Sequence, residues 1–114
     1  MSAQIRNQVL RAQNRQALID SGTDGPSRSL RRLLKEQRGV GVALPGADVN
    51  VHPAPVRVCR PIGPPFPATV RRLYALSHAQ LSTLAILFND DFGITALDNL
   101  EQCRVKFQHF IVGL

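Results

Sequence analysis

The 114-residue chain has no tryptophan, one tyrosine and five phenylalanines, so a core built from it is mostly aliphatic and modest in size. Its two cysteines, Cys59 and Cys103, are too few for a disulfide framework. Both are expected to be reduced thiols, which suits an intracellular setting, cytoplasmic or nuclear. No apolar run reaches the roughly 18 residues that span a bilayer. Residues 1–20 are polar where a secretory signal needs an apolar block. No membrane is therefore expected among the partners.

Chemical motifs are equally scarce. His52, His78 and His109 form no CxxC, HxxxH or HExxH spacing with each other or with the cysteines, so no metal site is expected. Asp90 and Asp91 lack the ligand pattern of a calcium loop. Gly39-Val-Gly41 lacks the third glycine of a dinucleotide loop, and no serine sits in a G-x-S-x-G elbow. The expectation is a protein that is not an enzyme and carries no cofactor.

Charge is what the sequence does have, and it is divided by position. Residues 1–72 carry twelve basic and four acidic side chains, a net of +8; residues 73–114 carry two and four, a net of −2. Twelve of the fourteen cations are arginine, whose planar fork suits phosphate and carboxylate.

The pattern predicts a mainly α protein in three parts: a basic helical arm over 1–39, a Pro-rich extended segment over 40–67, and a helical module over 68–114. In the arm, Ile5, Val9, Ala12 and Ile19 form a thin apolar stripe on a helix over 3–19, interrupted by Gln16. A second, amphipathic helix over 27–38 would group Leu30, Leu33 and Leu34 opposite Arg28, Arg31, Arg32, Lys35 and Arg38. Seven of the eight prolines lie between Pro45 and Pro67, which excludes a helix there. Val49-Asn50-Val51 and Val56-Arg57-Val58 read as short strands or as extended backbone crossing a partner.

In the module, Pro67 opens a short helix through Leu76, and Ser77 caps a helix over 78–88. Residues 89–93 turn. Thr95 with Asp98 starts a last helix that ends near Val112. Leu100, Cys103, Phe107, Phe110, Ile111 and Leu114 lie on one wide apolar face of that helix, an expected protein interface that would make the chain a homo-oligomer or part of a larger assembly. A helix-turn-helix reading fails because Ala96, Leu97 and Leu100 are apolar where a recognition helix is polar.

The leading functional expectation is a non-enzymatic, nucleic-acid-associated protein. Arg28, Arg31, Arg32, Lys35 and Arg38 would grip backbone phosphates, supported by Arg6, Arg11, Arg15, Arg71 and Arg72. Few aromatics lie near the arginines, which disfavours base stacking. The rival expectation is an assembly component that docks through its Pro-rich arm and apolar C-terminal helices, its arginines meeting an acidic protein surface.

Overall fold

The computed structural model describes residues 3–24, 28–38, 44, 56–63 and 65–113. The expected strand at 49–51, the bend after it and Leu114 lie outside the described residues.

Helix α1 runs over Ala3–Asp24, five residues beyond the sequence expectation. Pro26 disfavours helical backbone only at the residue before it, so Ser21–Asp24 can complete another turn. The face of α1 that turns inward is not the apolar stripe. Asn7 and Asn14 are fully buried, with Ala3 and Ala17 beside them, while Ile5, Val9 and Ile19 are more than half exposed.

The two asparagines explain this inversion. Leu34 N donates to Asn7 Oδ1 at 2.8 Å, and Asn7 Nδ2 donates back to Leu34 O at 2.8 Å. Arg31 N donates to Asn14 Oδ1 at 2.7 Å, and Asn14 Nδ2 returns a bond to Arg31 O at 3.1 Å. Each amide thus presents the donor and acceptor that a neighbouring strand would present. Seven helical residues rise about 10.5 Å. Three extended residues span about 10 Å, so Asn7 and Asn14 match Leu34 and Arg31 in antiparallel order.

That pairing overturns the expected helix at 27–38. Residues 28–38 carry no helix, and residues 28–35 lie between α1 and a returning segment over 59–70. On the second edge Leu30 N bonds Ala68 O, Val70 N bonds Arg28 O, Ile62 N bonds Leu33 O, and Lys35 N bonds Arg60 O, all at 2.9–3.0 Å. With both edges of the backbone satisfied by distant residues, a local helix has nothing to add. Leu30, Leu33, Leu34 and Ile62 go into the core. Val56–Val58 forms no strand; Arg60 N closes a turn onto Arg57 O, with Cys59 at φ 68.

Helix α2, Val70–Tyr74, starts after Thr69, whose side chain accepts from Arg72 N, rather than at Pro67. Helix α3, His78–Phe88, has the expected Ser77 cap, completed by Gln80 into a capping box, and ends at Asn89 in the left-handed region. Helix α4, Leu100–Val112, is capped by Asn99 and Gln102. The expected Thr95–Asp98 bond does form, Thr95 N to Asp98 Oδ2 at 2.8 Å, but it folds the turn before the helix.

All five phenylalanines meet in one cluster, with neighbouring ring centroids 4.7–6.4 Å apart. They join the Pro-rich segment (Phe66), α3 (Phe88), the turn (Phe92) and α4 (Phe107, Phe110). One core contains Leu30, Leu33, Leu44, Ile62, α2, α3 and α4, and Ala17 of α1 belongs to it. The Cα radius of gyration is 13.4 Å, against about 13 Å for a single domain of this size. Arm, middle and module therefore share a core among the described residues, and the molecule is mainly helical.

Candidate functional site

The basic side chains divide into two sets, and the division follows from what each one touches. The first set is absorbed by the fold. The last carbonyls of α4 have no partner within their helix, and α1 supplies them. Arg11 Nε donates to Phe110 O at 2.9 Å, Asn14 Nδ2 to Ile111 O at 3.1 Å, and Arg15 Nε to Val112 O at 2.9 Å. Residues 11, 14 and 15 share one face of a helix, so three successive orphan acceptors meet three successive donors. Two of the donors are cationic, which suits the negative end of a helix dipole. Arg11 also pairs with Glu36 at 3.3 Å and lies over the Phe110 ring at 5.0 Å.

Lys35 belongs to the same set. Its side chain is fully buried, and Nζ donates to Leu87 O at 2.5 Å, in the last turn of α3. Burial pushes its ammonium below the ordinary lysine value, because desolvation penalises the charged form. Lys35 is therefore withdrawn from the expected phosphate-binding group. Arg11 and Arg15 are committed through Nε to α4, although Arg15 remains exposed.

The second set faces water. Arg28, Arg31, Arg32 and Arg38 are exposed on the extended segment, and Arg71 and Arg72 are exposed on α2. Arg57 and Arg60, outside the expected phosphate-binding group, are exposed on the returning segment. Arg28 lies 3.8 Å from Asp20. Among the described residues no ion pair involves Arg31, Arg32, Arg38, Arg57, Arg60, Arg71 or Arg72. The bonds Val70 N–Arg28 O and Lys35 N–Arg60 O set cations from distant parts of the sequence on one ribbon. Residues 28–35 span about 23 Å when extended, but Arg28 and Arg31 are only about 10 Å apart along the backbone and Arg31 and Arg32 about 3 Å, close to one screening length of about 8 Å.

Beside the ribbon runs a groove of about 670 Å³ between α1 and residues 28–31. Gln13, Gln16, Ala17 and Asp20 line one side, and Arg28, Ser29 and Arg31 line the other. Gln16 Nε2 donates to Asp20 Oδ1 at 3.0 Å. None of the α1 residues was singled out as a site by sequence. Their signal was the polar flank along the Ile5–Ile19 stripe, legible only once the buried face of α1 is known.

Three of the six residues of the expected interface on α4 are enclosed in the chain's own core. Cys103, Phe107 and Ile111 are 1%, 0% and 0% exposed. Phe110 is half-buried against the same core, and Leu100 remains exposed. The face is wide because α1, α3 and the phenylalanine cluster all lie on it. Burial also raises the Cys103 thiol, aided by the nearby Asp98 carboxylate. Asp98 itself is held below the usual carboxylate range, chiefly by Lys106 Nζ at 2.6 Å.

Among the described residues no group of three or more His, Cys, Asp or Glu is placed to hold a metal ion, and no helix is long and apolar enough to cross a membrane. No family model, curated protein or solved structure matches the chain.

Proposed function

We propose that the chain is a non-enzymatic basic protein that contacts nucleic-acid backbone through the exposed arginines of its extended ribbon and of α2. The observation that carries this reading is the pairing of residues 28–35 with 59–70. It gathers Arg28, Arg31, Arg32, Arg60, Arg71 and Arg72 along one ribbon, with Asp20 beside Arg28. The grip is an extended ribbon of guanidinium groups in place of an Arg-rich helix, and it omits Lys35. Guanidinium groups bind phosphate oxygens in pairs and need no particular base sequence. The five phenylalanines are occupied with one another, which leaves the exposed Tyr74 of α2 as the single ring open to a base, so stacking contributes little.

The test is binding to a fluorescent duplex, a single strand and a polyglutamate across a salt series. Each phosphate neutralised on a duplex contributes about 0.9 to the slope of log K against log salt. Replacing Arg28, Arg31 and Arg32 by Gln should lower that slope by about 3 and weaken duplex binding. An unchanged slope, or polyglutamate binding as tightly as the duplex, would overturn the reading. The second outcome would favour an acidic protein surface as the partner.

A further inference from the structure

The outer face of α1 carries a pattern that the inner face does not explain. Ile5, Ala12 and Ile19 recur every seven residues, and Val9 and Gln16 form a second row with the same spacing. At 3.6 residues per turn these five positions fall within a band of about 80°, opposite Asn7 and Asn14. Ile5 is 53%, Val9 55% and Ile19 67% exposed. Two interleaved seven-residue rows make up the seam of a two-stranded coiled coil. Most helices bury such a stripe in their own core; here hydrogen-bonded asparagines take that place.

We propose that this face of α1 is a homodimer interface on which a second copy of the chain packs its own α1 in antiparallel orientation. Over residues 9–19 the sequence of the face is self-complementary in that orientation. With the dyad near residue 14, Val9 meets the second copy's Ile19, and Gln16 lies over the second copy's Ala12. A long polar side chain thus sits over the smallest residue of the row. A polar residue at such a seam position fixes register at a cost in affinity.

Charge selects the same alignment. On the groove side of the stripe the flanking positions are Arg6, Gln13 and Asp20, again seven apart. Antiparallel pairing sets Arg6 against the second copy's Asp20, and Asp20 against its Arg6, with Gln13 facing Gln13 on the axis. The Asp20 carboxylate is partly exposed; Gln16 donates to its Oδ1 and Arg28 pairs with its Oδ2 at 3.8 Å, and a carboxylate with one partner on each oxygen still has lone pairs for the second copy's Arg6. The groove lined by Gln13, Gln16, Ala17 and Asp20 gives the second copy's Arg6 and Gln13 a place to lie. On the opposite flank Arg15 faces Arg15, but its Nε is turned to Val112 O of its own α4. Both contacting surfaces are the same patch, so the contact closes as a twofold dimer and does not propagate.

The test uses the whole chain, without nucleic acid, in sedimentation equilibrium from about 1 to 100 µM. A monomer–dimer equilibrium is expected. Val9→Ser with Ile19→Ser should abolish the dimer while leaving the circular-dichroism spectrum unchanged, since both side chains are exposed. Arg6→Glu should weaken dimerisation about tenfold, because two attractive pairs become two repulsive ones. The double reversal Arg6→Glu with Asp20→Arg should restore it. A monomer at every concentration would overturn the proposal. A dimer that survives the Val9 and Ile19 substitutions would do the same. A dimer insensitive to Arg6→Glu would overturn the antiparallel register.

Discussion

An asparagine buried on a helix is costly unless every polar atom finds a partner, and Asn7 and Asn14 show how that condition is met. Each presents its amide edge-on to an extended backbone, as a strand would. Lys35 solves the same problem with one long side chain, reaching Leu87 O where α3 has run out of donors. The pH response of Lys35 follows from its burial. Its folded value is depressed, so the unfolded chain holds this proton more tightly. Below the folded value both states are protonated and the full cost of the buried ammonium is felt. Between the folded value and the ordinary one, stability rises with pH. Lys35→Met fills the same space without a charge and should stay within about 1–2 kcal/mol of the parent at neutral pH. In urea unfolding from about pH 7 to pH 10, the parent should gain stability relative to Lys35→Met. A flat or falling difference would contradict the burial of the ammonium. Residues of this kind are the least legible in a sequence. Polar amides and a lysine ordinarily mark the solvent side of a helix, so Asn7, Asn14 and Lys35 point outward by pattern and inward in fact.

At the scale of elements, α3 was readable because what bounds it is local. Ser77 with Gln80 and the turn at 89–93 define α3 without reference to the rest of the chain. The start of α4 was read from Thr95 and Asp98, which do bond one another, while Asn99 and Gln102 four residues later hold the helix itself. Asn99→Ala should therefore cost about 1 kcal/mol in urea unfolding, the usual worth of an N-cap. Thr95→Ala should cost less, since its Oγ1 contacts are long at 3.4 Å and its backbone bond to Asp98 survives. A larger loss from Thr95→Ala than from Asn99→Ala would return the cap to Thr95. The segment 28–38 failed for the opposite reason. Leu30, Leu33 and Leu34 satisfy helical spacing, and nothing nearby forbids a helix. What decides against it are bonds to Asn7, Asn14, Arg60 and Ala68, which a short window cannot contain.

At the scale of the molecule, the split of charge along the chain is real in sequence, yet it is not a split between two bodies. Cations of the front part close the ends of helices in the back part: Arg11 and Arg15 at α4, Lys35 at α3. The candidate site was partly legible for the same reason. Arg28, Arg31, Arg32, Arg38, Arg71 and Arg72 are exposed as expected, but the sequence could not separate them from Arg11 and Lys35, whose roles depend on carbonyls far along the chain. Nor could it show that the apolar side of α4 is needed internally, because the helix that covers it was read as a separate arm.

Amide hydrogen exchange at Arg31 and Leu34 tests the account most directly. If their N–H groups donate to Asn14 and Asn7 inside a shared core, both should exchange only with global unfolding, at the same slow rate as core amides of α4 such as Ile111. Exchange at these two amides near the rate of an unstructured peptide, while α4 stays protected, would contradict the shared core and restore an independent N-terminal arm.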